Sequence, residues 1–288
     1  MRRCFQIGAV IIAFESDHSL TCGGLFRAFC VDDAAQADLV YRVSYVDRLP
    51  SFENAEAYES GLVQTGGGRT LRFYRDTRTG APFACTVQDG GDVDVRILSS
   101  YAPWGESVEQ LFPLLALQHA LLRKEHLLLH GAFLTFEGCG LLFTGRSGIG
   151  KTTQSRLWQQ RFRARAVNED RAVIDAASQT IRVCGVPVAG SSPFCENKTV
   201  PLKAIIVLGQ APENSIQRLS AAKALPRIMD GVYLPAAFRT DLPATMELAL
   251  RVCAAVPVYR LDCRPDIESA ELVCRTVFGE EALCKTPI

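Results

Sequence analysis

The residues with the clearest chemical spacing are Gly145-Arg146-Ser147-Gly148-Ile149-Gly150-Lys151-Thr152, followed by Thr153. They match G-x-x-x-x-G-K-[ST] at every fixed position. The glycines let a backbone curl with its N–H groups turned inward, as a phosphate group requires. A helix starting near Lys151 adds the positive end of its dipole. In such a loop the lysine reaches the β- and γ-phosphates and the Thr152 hydroxyl ligates Mg²⁺. A glycine turn that binds nothing is the alternative. It is disfavoured by the apolar run before the loop and the helical run after it.

A phosphate loop states what is bound and leaves open what is done with it. A GTPase would carry N-K-x-D, but Asn197-Lys198 is followed by Thr199-Val200. A motor or transport ATPase would end an apolar strand in aspartate, but Ala204–Leu208 ends in Gly209-Gln210. A kinase needs a base near the γ-phosphate, and Asn168-Glu169-Asp170 offers two carboxylates about one short helix beyond the lysine. One can hold Mg²⁺ and the other can take the proton of an attacking hydroxyl. A solvated turn with a capping acid explains the same residues equally well. His130 opens the strand hairpin that leads to the loop, where a lone histidine is more often structural. His126 reads as an exposed helix-end residue, and His119 as packed or partly exposed on its helix. Arg156, Arg161, Arg163, Arg165 and Arg171 gather around the loop helix and the acidic turn. They could attract an acidic acceptor, although a solvated helix face accounts for them more simply. Lys198 lies in a polar stretch that a loop could bring to the site, and nothing in its setting favours this.

The elements that must position these groups are legible in outline. Leu127–Phe136 and Leu141–Thr144 read as strands joined by the turn Glu137-Gly138-Cys139-Gly140, so they should pair antiparallel. A helix is expected from Thr152 to about Phe162, and short strands at 165–167 and 171–174 on either side of the acids. Further strands are expected at 180–183, 204–208 and 258–261, with a helix over 245–255. The first hundred residues read as strands and turns, with alternation at 40–46, 70–75 and 93–98. Ser107-Val108-Glu109-Gln110 has the capping-box pattern, and an apolar helix through Leu122 should follow, buried against the second domain. We place a β-rich accessory domain at 1–105 and the nucleotide domain at 106–288.

Lys+Arg and Asp+Glu both number 31 in 288 residues, so the formal net charge is zero. Nucleic-acid binding by bulk charge is therefore not expected. No apolar run reaches the length of about eighteen residues read as a membrane span. The start, with Arg2-Arg3 before an apolar stretch, has a weak likeness to a signal peptide. Gln6 and Gly8 interrupt the stretch, and a buried first strand fits better. Eleven scattered cysteines, without a C-x-x-C pair or zinc spacing, point to reduced thiols in a cytoplasmic protein.

His130-Gly131-Ala132, the strand hairpin, Gly145–Thr152 and Asn168-Glu169-Asp170-Arg171 together resemble the catalytic domain of HPr kinase/phosphorylase, whose fold is related to phosphoenolpyruvate carboxykinase. The resemblance covers roughly residues 127–210. It implies a mixed α/β P-loop domain using ATP and Mg²⁺. It implies Glu169 as the acid that deprotonates the substrate hydroxyl, Asp170 as its neighbour by the metal with Thr152, and His130 near the γ-phosphate. The basic, proline-containing loop that HPr kinases use for their protein substrate is not found. The stretches Cys184–Gly190 and Pro201–Ile205 look more like divergent HPr-kinase-like proteins, some of which phosphorylate a precursor peptide. The expectation is a kinase acting on a serine of a small protein or peptide. A small-molecule kinase and a nucleotide-dependent sensing module are the alternatives.

Overall fold

The computed structural model describes residues 1–51, 53–58, 61–66, 69–88, 92–188, 190, 194–234 and 240–284. The chain forms two compact units, the first chiefly Met1–Ala120 and the second Leu121–Tyr233 with the chain from Thr240 onward.

The first unit is built on a mixed sheet. Its strands are β1 (Arg2–Ile7), β2 (Val10–Ser16), β3 (Cys30–Val31), β4 (Leu39–Val46), β5 (Glu56–Tyr58), β6 (Gly61–Gly66), β7 (Arg69–Arg75), β8 (Pro82–Gln88) and β9 (Val93–Leu98). Their order is β3-β1-β2-β4-β9-β8-β7-β6-β5. The β2–β4 and β4–β9 pairs are parallel and the others antiparallel. The single buried strand expected at the start is a hairpin, because Gly8 takes φ 61° and turns the chain. The single helix expected through Leu122 is also broken. It is α1 (Val108–Leu111), a 3-10 turn over Phe112–Leu115, and α2 (Leu117–Leu122). Pro113 lacks an N–H, and Ala116 at φ 48° is left-handed, so the ladder cannot run through. Leu114 and Leu115 serve the first unit, their carbonyls accepting from Tyr74 and Tyr41. No capping box forms at Ser107. Glu109 instead accepts from the Gly23 N–H and from the Ser107 hydroxyl.

The second unit holds β10 (His126–Phe136), β11 (Cys139–Thr144), β12 (Arg165–Asn168), β13 (Arg171–Asp175), β14 (Arg182–Cys184), β15 (Thr199–Gln210), β16 (Ser215–Arg218) and β17 (Val258–Cys263). The helices are α3 (Lys151–Phe162), α4 (Ala221–Met229), α5 (Leu242–Ala255), α6 (Ile267–Phe278) and α7 (Glu280–Cys284). This sheet too is mixed, with β15 parallel to β11 and β17 and the remaining pairs antiparallel. Period-two alternation feeds two cores. Ile205 and Val207 of β15 join Leu127, Leu129 and Phe133 against α4 and α5. Ala204, Ile206 and Leu208 face the other way, with Phe143, Trp158 and Phe162, onto α3 and α6. Each such large apolar side chain contributes roughly 1.5–3 kcal/mol by leaving water. The result is a rigid support on both faces of β10, β11 and β15.

Among the described residues no helix is long and apolar enough to cross a membrane. The described cysteines are unpaired.

Candidate active site

Strand β10 brings the chemistry together. On one side it pairs with β11, Gly131 opposite Thr144, the residue that enters the glycine loop. On the other side it pairs with β13 and then β12, with a register shift between Phe133 and Leu134. The acids occupy the jog between those two strands. The Gly131 N–H donates to the Asp170 carbonyl at 2.9 Å. The loop and the acidic turn are thus held on either side of one residue. Gly131 has no room for a side chain, since a Cβ there would lie 2.8 Å from the Phe143 carbonyl oxygen.

The loop is strongly curled. Gly145, Gly148 and Gly150 have φ of 143°, 75° and 114°, conformations that L side chains rarely adopt. Lys151 folds back over it, its Nζ donating to the carbonyls of Gly145 and Arg146, both at 3.1 Å. Burial lowers the Lys151 pKa, against an opposing pull from Asp170. In α3 the buried face carries Lys151, Gln154, Ser155, Trp158 and Phe162. Ser155, one turn after the lysine, donates its hydroxyl to Glu169 Oε1 at 2.6 Å.

Asn168 builds the turn. It is fully buried. Its Oδ1 accepts from the N–H groups of Asp170 and Arg171, both at 2.9 Å, and its Nδ2 donates to the carbonyls of Val186 and Val188. This is an Asx turn locked by a second pair of bonds. Asp170 then meets His130 Nδ1 at 3.5 Å and Arg171 Nε at 3.2 Å. Gly190 closes against it, where a Cβ would stand 2.6 Å from Asp170 Cγ. His130 is held by its own backbone, the N–H donating to Gly231 and the carbonyl accepting from Thr144. Burial first, then the Lys151 ammonium, press its pKa below the ordinary 6.5, while Asp170 pulls it up.

His130, Ser147, Gly148, Gly150, Lys151, Thr152, Thr153, Glu169 and Asp170 therefore line one cleft of about 320 Å³. Ile149 lies on the loop's other flank, where it, Gly150, Thr153, Leu208, Cys263 and Pro265 edge a largely apolar cavity of about 360 Å³, while Arg146 lines neither and lies beside Arg227, Asp230 and Arg260. Glu169 also borders a third cavity, a groove of about 730 Å³ beside Arg156, Gln159, Arg163, Phe194 and the ion pair of Arg165 with Glu196. His126 does not fit the sequence expectation. It is buried, the first residue of β10, with Nε2 3.5 Å from Asp175. His119 lies partly exposed in α2. Lys198 is exposed and lines none of these three cavities. Sequence reasoning missed Asn168, Ser155 and Gly231. Only Asn168 left a sign, an Asx residue placed to bond the N–H groups two and three residues on.

The family model of the SynChlorMet cassette protein ScmC matches residues 85–266, more than half of the chain and every residue of the cleft. The chain belongs to the ScmC family. No curated protein matches this ScmC-family chain. Among solved structures, the Hpr(Ser) kinase/phosphatase from Coxiella burnetii is similar at 13% identity, covering 55% of this chain and 91% of that one, with a TM-score of 0.33. That likeness is too slight to assign an activity.

Proposed function

We propose that this protein is an ATP-dependent kinase that passes the γ-phosphoryl group to a hydroxyl, a serine of a small protein or precursor peptide. One observation carries the reading: Glu169 is the wall shared by the loop-lined cleft and the wide groove. A base at that point has phosphate on one side and acceptor on the other.

The glycine N–H groups and Lys151 would cradle the β- and γ-phosphates, the ammonium exchanging its two loop carbonyls for phosphate oxygens. The apolar cavity beyond Ile149 suits a nucleobase. Thr152 and Asp170 offer the hard oxygen donors that Mg²⁺ takes, one hydroxyl and one carboxylate in the same cleft. Among the described residues there is no cluster of three or more metal-ligating side chains. A Mg²⁺ ion fits this set, because it ordinarily keeps waters and phosphate oxygens around one or two protein ligands. When bound, the ion neutralises charge on the transferring phosphoryl group. Glu169 accepts the proton of the acceptor hydroxyl as its oxygen bonds to Pγ and the bond from Pγ to the bridging oxygen breaks. ADP leaves with the electron pair. Ser155 orients the carboxylate through Oε1, and no hydrogen bond from the described residues reaches Oε2. Asp170 and its partners His130 and Arg171 keep the neighbouring charge in place.

The width of the groove favours a peptide over a metabolite, since Arg156, Gln159, Arg163, Arg165 and Phe194 are all exposed at its edges. A cytoplasmic setting, where ATP and reduced thiols coexist, fits this reading. The test is label transfer from γ-phosphate-radiolabelled ATP into a cell extract of the source organism, separated by size. Label in peptides or proteins supports the reading. Label confined to small molecules would make the protein a metabolite kinase, and tight ATP binding with no label would make it a nucleotide-dependent module.

A further inference from the structure

Five arginines surround the loop helix and the acidic turn, and the structure sorts them. Arg161 pairs with Glu271 at 2.6 Å, Arg165 with Glu196 at 2.7 Å and Arg171 with Asp170 at 3.2 Å. No carboxylate of the described residues lies within ion-pair range of Arg156 or Arg163. Both are exposed and both line the groove that Glu169 borders.

Their placement is regular. They are seven positions apart on α3 and its C-terminal cap, a rise of about 10 Å at helical spacing. An extended peptide in the polyproline conformation returns to the same face every third residue, after about 9 Å. Two carboxylates at that spacing would meet both guanidiniums. Arg163 carries a second mark. It ends α3 at φ 53°, its N–H and that of Ala164 closing back on Gln159 and Trp158. Glycine is the usual residue at that left-handed cap. A bulky cation kept there against backbone preference is the kind of local strain found where a side chain has work to do. Phe194 adds an exposed apolar surface to the same groove.

We propose that the groove beside Glu169 selects an acidic segment of the acceptor peptide, with carboxylates about three residues apart held by Arg156 and Arg163. This rests on the kinase reading above and names its substrate class. The charge complementarity both steers the peptide and fixes its register, so that a neighbouring serine reaches Glu169.

The test uses the whole chain and two fluorescent serine peptides of equal length. One carries Glu at positions i and i+3 beside the serine, and the other carries Gln there. Fluorescence anisotropy should show the acidic peptide binding about tenfold more tightly, with the margin shrinking as salt rises. The double variant Arg156→Ala, Arg163→Gly should erase the margin. Equal binding of the two peptides, no binding of either, or a margin that survives the double substitution overturns the proposal. So does tighter capture of a single-stranded RNA oligonucleotide through the same two arginines. MgATP affinity is measured in the same preparations. If MgATP does not bind, the kinase reading falls. If MgATP binds and the peptides are not distinguished, the groove proposal falls alone.

Discussion

Replacing Asn168 with alanine removes the residue that shapes the acidic turn, and the structure sets the size of the effect. Four hydrogen bonds end on a fully buried amide, two accepted from the N–H groups of Asp170 and Arg171 and two donated to Val186 and Val188. A protein hydrogen bond contributes about 0.5–1.5 kcal/mol net, and a buried partner left unpaired costs more. The substitution should therefore cost about 2–4 kcal/mol in the second unit. For a unit of this size that is a fall of roughly 5–12 °C in its melting transition. The catalytic consequence is separate. Glu169 and Asp170 lose their fixed turn, and a shift of about 1 Å in a reacting group can cost ~10²-fold in rate. Differential scanning calorimetry reads the first effect and phosphoryl transfer, once an acceptor is in hand, reads the second. Asn168→Asp keeps the acceptor half of the network but sets a buried carboxylate oxygen against the Val186 and Val188 carbonyls, so it should destabilise at least as much as alanine. Melting within about a degree of wild type, with transfer undiminished, would show that the turn does not depend on Asn168 and refute this account of it.

Three further outcomes are expected. Lys151→Ala should weaken MgATP binding by at least about tenfold in a calorimetric titration; unchanged affinity would remove the loop from nucleotide binding. His130 gives up its proton more readily folded than unfolded, so the fold binds fewer protons below the ordinary 6.5. Stability should be full above that pH and decline as pH falls toward the lowered value, and His130→Gln should flatten this part of the melting curve against pH; an identical slope in both proteins would contradict it. Arg163→Gly alone should raise the melting temperature by roughly 2 °C, since a left-handed non-glycine residue costs roughly 1–2 kcal/mol and glycine's freedom in the unfolded chain offsets about half; a fall in melting temperature would mean that the cap is unstrained.

The sequence made the second unit legible because its signals are local. The β10–β11 hairpin was readable from its turn, although the turn is two residues, Glu137-Gly138, where four were expected, and three glycines with a lysine marked the start of α3. The site's assembly was less legible because it depends on pairing between distant strands. Nothing in the residues around 130 says that Gly131 has Thr144 on one side and the Asp170 carbonyl on the other. His126 was misread for the same reason. Four positions from His130 it looks like a helix end, and only the β10–β13 register, which sets it opposite Asp175, explains its burial. In the first unit the helix expected through Leu122 failed at Ala116, where a left-handed φ is a tertiary outcome that an alanine does not announce. The arginine cluster was visible as a cluster. Which members are neutralised by Glu271, Glu196 and Asp170 required the fold.

The most direct test of the central claim compares wild type with Glu169→Gln, measuring MgATP affinity and label transfer into the acceptor fraction side by side. The account predicts equal affinity and transfer reduced by about 10²-fold or more, because the amide keeps the shape of the cleft and cannot take the proton. Undiminished transfer by the Gln variant would contradict it.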